Sequence, residues 1–340
     1  MPSLPDFKQV KTYEGHTGSI SSVRLSKGFD AGRLILSASA DRTVKIWHTS
    51  SGTLLRDWAG HEQGVADVAW SDQSDFAVSA SDDGSVRVWD VEADTCLAAL
   101  RGHDSQVMSV DFSPRGNLIA SGGTDDRVVL WDARSGRQLR SIPAHSGPIT
   151  GVSFSPDGQL LATSAFDGLI RFWDVATGHC LYTLIDDSAP CVGAVRFTAN
   201  GCFVLSSTLD SSVRLWDYAG NKTVRRMTGH ENTRFTCLPA LCCSSENKRA
   251  HRVVSATEAG PGVQVWELQS AAPLQTVSGF GGVPLTIDAH LTQDAFVTGE
   301  IGTRPPLRLF VAGDASWLAE EAEEDKAALG IGAPAAAATA

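Results

Sequence analysis

The sequence predicts an all-β chain built from seven copies of a four-stranded unit, and three observations carry that expectation. Tryptophan recurs: Trp47, Trp89, Trp131, Trp173, Trp216 and Trp266 lie 42, 42, 42, 43 and 50 residues apart, and Phe310 follows 44 residues later. Each of the first five closes a short apolar run, Val44-Lys-Ile-Trp47, Val86-Arg-Val-Trp89, Val128-Val-Leu-Trp131, Ile170-Arg-Phe-Trp173 and Val213-Arg-Leu-Trp216. Asp follows at Asp90, Asp132, Asp174 and Asp217, and a Gly-His pair or its variant lies upstream at Gly15-His16, Gly60-His61, Gly102-His103, Ala144-His145 and Gly229-His230. A period of about 40–45 residues with four strands per copy predicts a β-propeller, because one sheet alone leaves apolar faces in water and radial stacking buries them.

The elements follow in order. Phe7 to Tyr13 precedes the first Gly-His and is expected to form the outer strand of the last blade, which closes the ring and covers its edges. Ser113-Pro-Arg-Gly116, Ser155-Pro-Asp-Gly158 and Thr198-Ala-Asn-Gly201 carry turn chemistry between strands. The sixth and seventh copies are degenerate. The propeller is expected to span residues 1–318, with 319–340, acidic and then alanine-rich, as a disordered tail that cannot join the core.

Composition narrows the functional classes. With 28 Lys and Arg against 39 Asp and Glu, a net charge of -11 argues against a general nucleic-acid binder, whose affinity comes from neutralising phosphates. Part of the excess is local, since Glu320, Glu321, Glu323, Glu324 and Asp325 stand against Lys326 in the tail. The seven cysteines (Cys96, Cys180, Cys191, Cys202, Cys237, Cys242 and Cys243) form no Cys-x-x-Cys pair, which fits reduced thiols in a cytosolic or nuclear protein. The adjacent Cys242 and Cys243 read better as core filling than as metal ligands. No apolar run is long enough to span a membrane, and the N-terminus lacks the basic flank and apolar core of a secretory signal. Neither a zinc-ligand spacing nor a phosphate loop is present, so no metal and no cofactor is expected.

Four copies hold His, Ser or Thr, Asp and Trp in one register: His16, Ser37, Asp41, Trp47; His61, Ser79, Asp83, Trp89; His103, Ser121, Asp125, Trp131; and His145, Thr163, Asp167, Trp173. The fifth keeps Ser206, Asp210 and Trp216 but has Asp187 at the His position. Such a set invites a hydrolase reading. An enzyme needs one set beside a pocket, however, and has no use for four at a fixed period. The repetition predicts a structural relay of hydrogen bonds from indole through hydroxyl and imidazole to the turn carboxylate, with no catalytic residue.

These repeats resemble the WD40 family over roughly residues 7–312. Further stretches resemble one WD40 subfamily: Val65-Ala-Asp-Val-Ala-Trp70, Ser79-Ala-Ser-Asp-Asp83, Phe166-Asp-Gly168, Thr183-Leu-Ile-Asp-Asp187, Ser206-Ser-Thr-Leu-Asp210, Leu215-Trp-Asp-Tyr218 and Thr228-Gly-His-Glu-Asn232. They look like the seven-bladed WD40 subunit of COMPASS/trithorax-type complexes, which methylate lysine four of histone three. The resemblance implies a non-enzymatic nuclear scaffold, a monomer inside a hetero-complex. Its implied partners are a second WD40 protein and a SET-domain catalytic subunit.

The resemblance also implies two sites. The family holds a partner arginine between two aromatic rings at the top of the central channel. The matching positions here are Met108 and Leu238, neither aromatic, so arginine-centred peptides are expected to bind weakly. Ser19, Ala40, Ala66, Asp82, Thr150, Phe166 and Phe235 are expected to line the same rim, with Asp82 either a rim charge or a turn residue. The second implied site is a groove between blades five and six for an acidic-aliphatic segment of the other WD40 subunit. Asn200, Phe203, Leu215 and Leu241 match it, with Phe203 expected to face the groove instead of the core. Loss of the first site with retention of the second resembles the fungal form. The alternative function is a substrate receptor of a ubiquitin ligase or another peptide-binding adaptor, which would need an adaptor-binding segment such as an F-box. Neither terminus resembles one.

Overall fold

The computed structural model describes residues 5–28, 31–186, 188–243, 251–260 and 262–319. Their strands form seven antiparallel four-stranded sheets, each in sequence order from the inner strand outward except the last. The inner strands are Ile20–Leu25, Val65–Trp70, Val107–Phe112, Ile149–Phe154, Val192–Phe197, Ala240–Cys243 and Pro284–Ala289. Phe7–Tyr13 pairs with Leu307–Ala312 as the outer strand of blade seven, so the chain's start closes the ring. This is the seven-bladed propeller that the tryptophan period predicts. Strand structure ends at Ala312, and a single helical turn occupies 316–319. The acidic, alanine-rich tail from 320 onward and Asp187 lie outside the described residues.

Burial explains the order of strands within a blade. Inner and second strands are largely buried on both faces; in Ile149–Phe154 every residue is buried. Outer strands cover one side only, so Leu54–Ala59 buries Trp58 and leaves Leu54 and Leu55 exposed. The cores lie between blades. Leu36, Val44, Ile46 and Trp58 of blade one pack on Val68, Trp70 and Trp89 of blade two, and the Trp58 and Trp89 rings stack at 5.1 Å. Each such aliphatic side chain removed from water contributes roughly 1.5–3 kcal/mol.

One irregularity shapes the axis. Every inner strand except that of blade six carries a bulge near its start, at Ser21, Ala66, Met108, Thr150, Gly193 and Leu285. A bulged residue lacks a ladder partner and re-aims its side chain, and all six line the central channel. In blade six Pro239 cannot donate to a ladder. Its inner strand is therefore only Ala240–Cys243, and Leu238 makes an isolated bridge to Thr286. Among the described residues no helix is long and apolar enough to cross a membrane, and no group of three His, Cys, Asp or Glu is placed to hold a metal ion.

Candidate functional site: the relays, the axial channel and the junction of blades five and six

The repeated polar sets are hydrogen-bonded within blades one to four. Each histidine donates from Nδ1 to the turn aspartate at 2.9–3.0 Å. Its Nε2 accepts from the Ser or Thr hydroxyl at 2.8 Å. The same hydroxyl oxygen accepts from the tryptophan Nε1 at 2.8–2.9 Å. Ser37, Ser79, Ser121 and Thr163 have no exposed surface, so none can meet a substrate. The carboxylates also take the amide after each histidine, at Thr17, Glu62, Asp104 and Ser146. The relay thus clamps the loop entering each blade. Burial raises the Asp83 carboxyl, but the Ser85 hydroxyl, the Glu62 amide and His61 outweigh it and hold it well below the usual carboxylate range.

Blades five to seven clamp the same loops differently, and the sequence pattern does not reveal how. In blade five the fully buried Arg214 bridges Asp210 at 2.6 Å and Asp186 at 3.3 Å. Burial raises Asp210, but Thr208, Arg214 and Ser212 bring it down to about 2. In blade six Glu258 accepts from the Thr233, Arg234 and Phe235 amides at 2.8–3.1 Å. In blade seven Glu300 takes the Gly281 and Gly282 amides and faces Arg308. His230 of blade six is buried against Trp266, yet among the described residues neither ring nitrogen has a hydrogen-bond partner. The Trp266 Nε1 donates to the Thr228 carbonyl instead of to Ser255, whose hydroxyl also lacks one. Burial pushes His230 down to about 4.

The channel encloses about 650 Å³. Of the expected rim, Ala40, Ala66, Asp82, Met108, Thr150, Phe235 and Leu238 line it. Ser19 and Phe166 stand outside this lining, next to it. Ser19 turns toward blade seven, where its Oγ accepts from the Gly302 amide at 3.1 Å, and Phe166 lies in a surface turn with 38% of its area exposed. Glu258, holding the Phe235 amide, positions the Phe235 ring at the rim. Gly193 lets blades five and six approach closely, because a Cβ there would sit 3.3 Å from the Thr236 Cα.

Below the mouth runs a lattice of charges. Arg24 meets Asp67 at 3.0 Å, and Arg196 reaches across blade six to Asp288 at 2.5 Å. Asp67 also accepts from Ser22, Ser109 and the Val110 amide, and Asp111 accepts from the Phe154 amide. Burial raises the Asp111 carboxyl. These acids staple neighbouring inner strands together.

The junction of blades five and six differs from its expected form. Leu215, buried to 5%, packs with Leu205, Val213, Met227, Val253 and Trp266, so it is inter-blade core and not groove wall. Its pairing with Leu205 directs both side chains toward blade six. Phe203 and Leu241 are half-buried against that cluster, so the Phe203 ring does not simply face outward, and Leu241 also lines the channel. Asn200 is exposed, and its Oδ1 accepts from Thr198 Oγ1 and the Cys202 amide, which is turn chemistry.

The repeated clamps, the bulged inner strands and the channel find their match in one family. The sequence model of the WDR5 beta-propeller domain matches residues 12–311. The chain belongs to this WD40 propeller family. It is similar over 76 residues to nuclear distribution protein PAC1 of Arthroderma benhamiae, at 37% identity, covering 21% of this chain and 16% of that protein. Over 70 residues it is 39% identical to WD repeat domain-containing protein 83 of Rattus norvegicus, covering 21% of each chain. The chain thus spans about a fifth or less of the curated relatives it matches. A WD40 propeller of this kind is a platform for protein–protein interaction, with protein partners in a complex.

Proposed function

We propose that this chain is a non-enzymatic scaffold subunit of a nuclear histone H3 lysine-4 methyltransferase complex of the COMPASS type. In that role it binds a second WD40 subunit and a SET-domain catalytic subunit through its propeller surfaces. The observation that carries the reading is the family match from the first blade to the last. The junction of blades five and six is consistent with it, since Phe203 and Leu241 keep part of their apolar surface beside the exposed Asn200. The burial of the relay hydroxyls supports a structural role for them and is compatible with a scaffold. Affinity purification of the tagged chain with mass spectrometry tests this. A SET-domain subunit and a second WD40 protein should copurify, and removal of the chain should lower histone H3 lysine-4 methylation. Recovery of ubiquitin-ligase subunits instead would overturn it.

A further inference from the structure

We infer that the channel mouth accepts a lysine side chain of a partner segment, its methylene stem against Met108, Leu238 and Phe235 and its ammonium on Asp82. This rests on the reading of the chain as a partner-binding scaffold and adds the chemistry of what enters the mouth.

Charge decides first. The deeper acids of the channel all have protein donors: Asp67 takes Arg24 and Ser109, Asp111 the Phe154 amide, Asp288 Arg196 and the Leu25 amide, and Asp72 the Gln73 amide nitrogen. Asp82 differs. It lines the mouth half-buried, and among the described residues none donates to its carboxylate. Its Oδ2 lies 3.1 Å from where a Cβ on Gly64 would stand, a tight contact that the glycine relieves. Burial and the neighbouring Asp83 raise its carboxyl, the direction expected of an acid that lacks a cation.

Shape decides second. Arginine recognition draws on flat faces for stacking and on a planar fork of donors, whereas lysine brings a compact charge on an aliphatic stem. The Met108 thioether, the Leu238 isobutyl group and the Phe235 ring at the mouth suit methylenes, which lie along apolar surface while the charged head seeks a polar partner. Met108 and Asp111 are three positions apart on Val107–Phe112, about 10 Å at strand rise, so the apolar mouth lies well above Asp111.

Met108 is itself the reporter. The chain contains three methionines, Met1, Met108 and Met227, and Met227 is buried in the junction of blades five and six as an internal control. NMR of methyl-labelled methionine would follow titration with the capped pentapeptide Ala-Ala-Lys-Ala-Ala and its arginine and norleucine counterparts. The lysine peptide should move the Met108 signal alone and bind about fivefold or more tighter than either. Asp82→Asn, which removes no protein contact, should erase the lysine preference over norleucine at an unchanged melting temperature. Met108→Phe with Leu238→Phe, titrated by calorimetry, should turn the preference toward arginine. Equal or tighter binding of arginine by the wild-type chain, a lysine preference that survives Asp82→Asn, or no binding at all would overturn the proposal. Methyltransferase subunits that still copurify in that case would leave the scaffold reading standing. A lysine preference without those subunits would sink the scaffold reading alone.

Discussion

In blades one to four an imidazole sits between a buried hydroxyl and a turn carboxylate, while in blades five and six the clamp is an arginine between two aspartates and a glutamate cradled by amides. Blade seven uses a second glutamate, on Gly281 and Gly282. Both halves of the ring must hold the loop that enters each blade and satisfy buried donors. The relay does so with four side chains at a fixed spacing; the substitutes do so with longer side chains from other positions. The lesson is that the carboxylate is the constant part. His230 makes this concrete, because it survives in blade six with no hydrogen-bond partner among the described residues while Glu258 carries the loop.

That contrast also sets what could be read from the residues. The tryptophan period and the Gly-His pairs gave away the ring and blades one to four, because one geometry repeated demands one spacing. Arg214, Glu258 and Glu300 stayed invisible, since an arginine clamp and a glutamate cradle share no register with His and Asp. The channel mouth was half legible. Met108 and Leu238 followed from the family resemblance, whereas the bulges that aim Ser21 and Leu285 inward are set by ladder geometry that no residue type announces. Leu215 was misplaced for a similar reason: an apolar strand residue fits groove and core equally until the neighbouring blade is in place.

The comparison breaks most visibly at Arg214. Arg214→Met removes the buried guanidinium that bridges Asp186 and Asp210 and leaves Arg226, 3.0 Å from Asp210, as the remaining partner. We expect a loss of about 3–5 kcal/mol in urea unfolding followed by tryptophan fluorescence. A loss below roughly 1 kcal/mol would mean that the clamp of blade five resides elsewhere.

Asp125→Ala tests the carboxylate of an intact relay. It strips partners from His103 and from the Asp104 and Arg127 amides, and should cost about 2 kcal/mol. Because the role is confined to blade three, every copurifying partner should remain at temperatures where the variant is folded. Selective loss of one partner with an unchanged melting temperature would make Asp125 a contact residue instead.

Replacing histidine by phenylalanine separates the two halves more finely. His61→Phe leaves Ser79 and Asp83 short of one partner each and should cost about 1–3 kcal/mol. His230→Phe keeps the ring against Trp266 and forfeits no hydrogen bond, so its cost should stay within about 1 kcal/mol. Equal costs at both positions would show that His230 has a partner in solution.

The smallest expected effect concerns pH and depends on the same orphan ring. Burial holds His230 at about 4, chiefly by desolvation that Asp210 and Glu258 only partly offset, against about 6.5 for a free imidazole. Between those values the unfolded chain binds a proton that the folded chain refuses. Stability therefore declines as pH falls through that window, by at most about 1.4 kcal/mol per unit for one group. Asp210, held at about 2, loses its contribution only below the ordinary aspartate value, so it does not act in the same window. His61 and His145 are also lowered by burial, and His290 to about 4, but these rings are common to the wild type and to His230→Phe and cancel between them. Urea midpoints of both proteins at pH about 7.5 and about 5 should therefore converge or cross in favour of the variant at the lower pH. Parallel lines would place the proton of His230 on a partner in the folded state and remove the distinction between blade six and blades one to four.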